Sequence, residues 1–537
     1  MIKSLYLCSV TFSIKMKIAS FKTFILCLFL LFMLCACTGS EAEEAPAPVA
    51  PDSVEVPDGA LSTLYAAAEG GTVTLRFNTS KPWTATVPDA TQTPNGHFSV
   101  YKGEAGLNEV IFTAMPNTTA KERQTVFVVA AGRASLEITI VQPSLEIKLP
   151  DEEEIRRYLI RLYNETDGPN WRFRERWCSD LPIDQWGSSV KYRGGKLELW
   201  LTENQLKGRF DMSGCKALTY VKLSKNELTS VNVSDCPLLE SMDLTSNKLT
   251  EVNISGCNSL NSITAGFNPL TTIDVSGHYA MRSIYMQSCL LTSLDVSDCN
   301  ALEDLMIAQN SIADLRLPEK PTKLQNLWCY TNRLRSLDLT GCVWLEILNC
   351  GDNELTSLKL DDCRRLNLLY CYENNLTELN IDSQRESVGQ FYCYSNRLTS
   401  LNVRNCPKLS QIHCADNRLT ELDLRGCPDA RWIICSYNNI SGLYIDPAVN
   451  MLNILDITSN SLTKVDFAPF GTSIAFCELY CRDNPIFSEI PERVKTLDVF
   501  EHDARFEYLP DGRYIDRGIG WWYPGEPQSG RHDWSEP

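Results

Sequence analysis

Positive charge, histidine and long apolar runs are all in short supply. The 537-residue chain has 50 Lys and Arg against 67 Asp and Glu, a formal net charge of -17. Its basic residues gather into no run, and a phosphate-tracking surface needs clustered Lys and Arg to displace counterions, so nucleic acid is excluded as a partner. The five histidines (His97, His278, His413, His502 and His532) are scattered, and no paired C-x-x-C knuckle occurs, so no metal site is expected. HExxH, a phosphate loop and a Ser/His/Asp set are also missing, so no cofactor and no enzymatic activity is expected. No apolar run reaches the roughly 20 residues of a spanning helix. The stretch "FILCLFLLFMLCAC" (24–37), with Lys15, Lys17 and Lys22 ahead of it, is too short to span and reads as a cleaved leader starting at Met1 or Met16.

What is abundant is cysteine, 22 in all. The leader ends in Leu34, Cys35, Ala36 and Cys37, which resembles the lipobox of bacterial lipoproteins. The resemblance implies a signal peptide over 1–36, acylation of Cys37 and anchorage to the outer membrane through its acyl chains; an ordinary signal peptide ending in cysteine is the alternative. Residues 37–59 are acidic and Ala/Pro-rich, the composition of an extended tether. Glu41, Glu43 and Glu44 resemble the acidic surface-export signal of some Gram-negative lipoproteins, which implies a cell-exterior location.

Residues 60–145 alternate with period two in "TVTLRF", "WTATV", "EVIFTA" and "SLEITIVQ", with Gly70-Gly71, Pro94-Asn95-Gly96 and Gly132 as punctuation. This predicts an antiparallel β-sandwich of immunoglobulin-like size, with Trp83 in its core. The arrangement resembles the BACON domain family, whose name proposes carbohydrate binding, although many members look like spacers. In residues 150–196, "DEEEIRRYLIRLYNE" predicts an amphipathic helix capped by Asp151, and Trp171, Trp177 and Trp186 are available to cover an open end. This segment resembles the N-terminal cap of extracellular leucine-rich-repeat proteins.

Residues 197–499 repeat every 21 or 22 positions as L-x-x-L-x-L-x-x-N-x-L-T-x-L-x-L-x-x-C. The asparagine column runs Asn204, Asn226, Asn247, Asn268, Asn310, Asn332, Asn353, Asn374, Asn396, Asn417, Asn438, Asn460 and Asn484, with Cys289 substituting once. The pattern resembles the leucine-rich-repeat family in a cysteine-bearing form. It implies a parallel β-solenoid of about 14 rungs, on the order of 65 Å long at the strand spacing, with 3₁₀ turns or short extended pieces on the convex side. Residues 500–537, with Trp521, Trp522 and Tyr523, read as a C-terminal cap.

Seven cysteines (Cys329 to Cys435 once per rung, and Cys481) fall at an inward strand position, and eight more at the following turn. In-register rungs hold side chains parallel, at the wrong separation and torsion for a bridge, so free buried thiols are expected. Alternation turns another column outward: Trp200, Lys222, Asp243, Thr264, Tyr285, Met306, Trp328, Asn349, Tyr370, Tyr392, His413, Ile434, Asp456 and Tyr480. With Tyr330, Tyr372, Tyr394 and Trp432 from neighbouring columns, an exposed aromatic ligand-binding surface is expected of Trp328, Tyr330, Tyr370, Tyr372, Tyr392, Tyr394, His413 and Trp432. Cross-rung stacking that only stabilises the sheet is the alternative. Asp456 and Glu478, on adjacent rungs, are the one carboxylate pair, but an open sheet has no walls to exclude water. These readings converge on non-catalytic recognition of a protein partner, with a glycan-binding surface lipoprotein as the second possibility.

Overall fold

The computed structural model describes residues 52–57, 62–87, 96–117, 121–319, 321–449, 452–465 and 478–484, with two further strands, Phe506–Tyr508 and Tyr514–Asp516. The leader, Cys37, Glu41, Glu43 and Glu44 lie outside these residues, as does most of the expected C-terminal cap.

Among the described residues, nine strands precede the repeats. β1 (Val54–Glu55), β3 (Gly71–Thr79), β5 (Gly96–Phe98) and β7 (Gly106–Ala114) form one sheet in the order β1-β3-β7-β5. β2 (Thr63–Tyr65), β4 (Trp83–Thr86), β6 (Lys102–Gly103), β8 (Arg123–Ala131) and β9 (Ala134–Gln142) form the other, in the order β2-β9-β8-β4-β6. All pairings are antiparallel except β2 with β9. Alternation sends Leu75, Phe77, Val110 and Phe112 from the first sheet, and Trp83, Phe127, Val129, Ile138 and Ile140 from the second, into one shared cluster. Trp83 is a core residue at 2% exposure, edge-on to Phe77 at 4.8 Å. Within the span expected to be a tether, Val54 and Glu55 pair with Thr79 and Asn78.

Helix α1 (Glu152–Glu165) begins where Asp151 Oδ1 accepts the Glu154 N–H at 2.8 Å, satisfying one orphan donor of the first turn. Its buried face, Ile155, Leu159 and Leu162, joins Trp171, Trp177 and Trp186 in the apolar cluster that continues into the first rungs.

The repeats form a 15-stranded sheet that opens with Val190–Arg193, antiparallel to Lys196–Trp200, and continues as fourteen parallel strands to Glu478–Tyr480. The fold is a parallel β-solenoid consistent with leucine-rich repeats. Among the described residues, its opposite side carries short parallel pairings, such as Glu227–Asn232 with Glu251–Asn253, and one 3₁₀ turn at Asp382–Gln384.

The asparagine column holds successive coils together. Asn374 Nδ2 donates to the carbonyls of Cys350 (3.0 Å), Cys371 (3.2 Å) and Tyr372 (2.9 Å), while its Oδ1 accepts the Leu355 N–H at 2.9 Å. One side chain therefore satisfies buried backbone groups of two rungs. In every rung the residue before this column is left-handed, from φ 48° at Glu373 to φ 58° at Lys225 and Phe267. Such a conformation costs a non-glycine residue roughly 1–2 kcal/mol, which the buried amide bonds offset. Asn204 has no preceding coil, and its Nδ2 is buried without a partner.

All described cysteines are free, and all but Cys178 are buried. The two columns differ chemically. The inward strand thiols sit among leucines as small apolar groups. Several turn thiols donate instead to the previous coil: Cys236 to the Met212 carbonyl (3.2 Å), Cys257 to Val233 (3.0 Å) and Cys427 to Val403 (3.1 Å). His278 and Gln384 occupy the same turn position, and each meets the carbonyl 24 residues back, Ile254 and Leu360 respectively.

Candidate functional site

The outward column pairs rung by rung without a slip, from Trp200↔Lys222 through Tyr370↔Tyr392 and Tyr392↔His413 to Asp456↔Tyr480. Because strands stack at about 4.8 Å, aromatic rings on successive rungs are brought into contact. Tyr372 and Tyr394 lie parallel, centroids 4.8 Å apart and planes 2° apart, and Tyr394 stacks on His413 at 4.3 Å. Tyr370 and Tyr392 also lie 4.8 Å apart, but with their planes tilted by 58°. Their hydroxyls donate to the next rung's glutamines, Tyr370 to Gln390 Oε1 (2.7 Å) and Tyr392 to Gln411 Oε1 (2.5 Å). Gly351 makes room at one end, since a Cβ there meets the Tyr372 ring at 2.5 Å.

The expectation of an exposed aromatic surface is corrected by this packing. Tyr330, Tyr370, Tyr372, Tyr392, Tyr394 and His413 are only 4–9% exposed. Alternation fixes the side of the sheet but not accessibility, and stacking at the rung spacing hides ring faces. Burial lowers the pKa of His413 to about 3, so its imidazole is neutral, and raises that of Tyr330 to about 12.

The eight expected residues form three groups. Tyr370, Tyr372, Tyr392, Tyr394 and His413 make one ladder. Trp328, half-buried, meets Tyr330 edge-on at 6.5 Å, one rung of Asn349 and Gly351 away from that ladder. Trp432 pairs with Gln411, two positions before the ladder's column, and lines a cleft. The early part of the column is more open, with Trp200 38% exposed and Tyr285, Met306 and Trp328 half-buried.

No family model matches the chain, and no curated protein matches it. Among solved structures, the chain is similar to the functional domain of InlJ from Listeria monocytogenes, described as including a cysteine ladder, at 23% identity, 63% of this chain, 70% of that one and a TM-score of 0.47. It is also similar to YopM from Yersinia pestis, described as a leucine-rich effector protein, at 22% identity, 62% of this chain, 100% of that one and a TM-score of 0.44. A Bacteroides ovatus GH5 xyloglucanase is similar over 19% of this chain and 21% of its own, at 26% identity and a TM-score of 0.16. The solenoid assignment rests on the strand register and asparagine column of this chain itself.

Asp456 and Glu478 do not face each other: Asp456 pairs with Tyr480 and Glu478 with Ile454. Asp456 accepts from Ser436 Oγ (2.8 Å) and Thr458 N (3.0 Å), and burial raises its pKa; Glu478 accepts from the Tyr480 hydroxyl at 2.9 Å. Among the described residues no group of three or more His, Cys, Asp and Glu is placed to hold a metal ion.

The cleft beside Trp432 was not legible as a site. Its other walls come from Lys408, Ser410, Gln411, Asp429, Arg431 and Asn453. The available signal was a drop in side-chain size along one column, Asn367, Gly389, Ser410, just before Arg431.

Proposed function

We propose that this chain is a non-catalytic recognition protein that binds a protein partner through the outward face of its parallel sheet. The observation that carries this reading is the unbroken fourteen-residue outward column, in which a closely packed tyrosine ladder is flanked by half-buried Trp328 and by the open, mixed side chains of the early rungs. Pre-stacked aromatic rings lose little conformational freedom on binding, which favours affinity from a modest contact area. Half-buried Trp328 is the anchor, and Tyr370, Tyr372, Tyr392, Tyr394 and His413 form the floor that holds the face in shape.

The same proposal places the protein at the exterior of the outer membrane, anchored by acyl chains on Cys37, with the N-terminal strands acting as a BACON-like spacer. Cys37→Ser is expected to release the protein from membranes, and protease added to intact cells is expected to degrade the wild type. For the binding face, Trp328→Ala and a Tyr370/Tyr372/Tyr392/Tyr394-to-Ser variant are compared with wild type in pull-downs from host-protein mixtures, with thermal melts to confirm folding. Folded variants that retain every partner rule out this face.

A further inference from the structure

Along one edge of the sheet, a column of residues preceding the strands changes size abruptly. Backbone bonds of 2.8 Å link it rung to rung: Gly389 N–H to the Asn367 carbonyl, Ser410 to Gly389, Arg431 to Ser410 and Asn453 to Arg431. Side chains vanish at Gly389 and shrink to a hydroxymethyl at Ser410, then lengthen again at Arg431. A Cβ at Gly389 meets Asn367 Oδ1 at 2.5 Å, so the amide already occupies part of the space the glycine leaves. Beyond it, between rungs eleven and thirteen, a cavity of ≈ 320 Å³ remains, at the small end of the range for small-ligand sites.

The lining has a definite chemistry. Lys408 and Arg431 are exposed cations set against one carboxylate, Asp429. Gln411 spends its Oε1 on the Tyr392 hydroxyl, which leaves its amide nitrogen as the group to offer a ligand. Ser410 Oγ donates to the Gly389 carbonyl at 2.9 Å and keeps lone pairs for accepting. Half-buried Trp432 supplies the one broad apolar surface, and Asn453 a further amide. A donor-rich, net-cationic pocket selects an anion, and the indole and amides suit a ring with one C–H face and several hydroxyls.

We propose that this cleft binds an acidic sugar, a uronic-acid unit of a polysaccharide. Arg431 and Lys408 hold its carboxylate, Trp432 packs under its ring, and Asp429, Gln411 and Asn453 read its hydroxyls. The guanidinium fork matches a carboxylate in two parallel bonds, which a neutral hexose cannot use. The assignment is independent of the protein-partner reading, because Trp328 and the early rungs play no part in it.

The test titrates the purified full chain with trigalacturonate, with maltotriose as the neutral trisaccharide and hexaglutamate as the acidic peptide, followed by calorimetry. Saturable binding of trigalacturonate in the millimolar range or tighter is expected, with weak or no binding of the other two. Arg431→Gln is expected to weaken it by about tenfold or more, the loss of a charge-assisted bond. Ser410→Phe fills the cavity and abolishes binding, while Lys216→Gln, exposed on a distant rung, leaves it unchanged; thermal melts confirm that each variant folds. No binding at millimolar concentration, equal binding of maltotriose, equal binding of hexaglutamate, or binding unmoved by both Arg431→Gln and Ser410→Phe each overturns the assignment.

Discussion

Rungs one to six and rungs seven to twelve share one register but distribute their bulk differently across the sheet. In the first set the inward position beside the turn holds Leu201, Leu223, Leu244, Ala265, Met286 and Ile307; in the second it holds Cys329, Cys350, Cys371, Cys393, Cys414 and Cys435. The residue that follows shows the reverse trend. Thr202, Ser224, Thr245, Gly266, Gln287 and Ala308 give way to Tyr330, Gly351, Tyr372, Tyr394, Ala415 and Ser436. Volume moves from inside the coil to outside it while the backbone stays the same. The coil is therefore specified by the asparagine and the left-handed residue before it, and the strand side chains are free to vary with function.

Removing the shared device should do the most damage, and in both sets alike. Asn374→Ala and Asn226→Ala each strand several buried backbone groups, and a loss of about 3 kcal/mol or more is expected in urea unfolding. A benign Asn226→Ala would break the claim that one scaffold underlies both sets.

Exchanging the inward residues comes next. Cys371→Leu overpacks a fully buried column and should cost about 1–3 kcal/mol, while Leu244→Cys leaves a void worth about 1–2 kcal/mol. The pH dependence of the late rungs is of similar size. Burial holds the His413 pKa at about 3, against an ordinary value of 6.5. Between these values the unfolded chain binds more protons than the folded one. The stabilisation is complete above pH 6.5 and is lost as pH falls towards 3, about 2 kcal/mol by pH 5. Hydrogen exchange of rungs nine to twelve, corrected for intrinsic rates, should quicken at pH 5 relative to pH 7, and His413→Gln should flatten the response. Gly351→Ala, which pushes on the Tyr372 ring, is expected to cost about 1 kcal/mol. The smallest effect is chemical: iodoacetamide without denaturant should label Cys178 and spare the other described cysteines.

Most of the architecture could be read from the residues because a polar device recurs at fixed spacing. Thirteen asparagines, with Cys289 substituting once, set the register, and the outward column followed by alternation. Accessibility could not be read the same way. Alternation says that Tyr370 and Tyr372 leave the core, but only the rung spacing and the room given by Gly351 decide how closely their rings stack. The donor role of the turn thiols was also hidden, although His278 and Gln384 at equivalent positions mark a place that needs a hydrogen-bond donor. The cleft by Trp432 depends on the relative sizes of residues in three columns, so no single stretch announces it.

The central claim is that the outward face of the sheet is the recognition surface. Its most direct test is site-specific photo-crosslinking in intact cells, with a photoreactive residue at Met306 or Trp328 on that face, or at Val343, exposed at a turn. A discrete protein adduct from the first two positions and none from the third is the expected result. Adducts from Val343 alone, or none from any position, would contradict the claim.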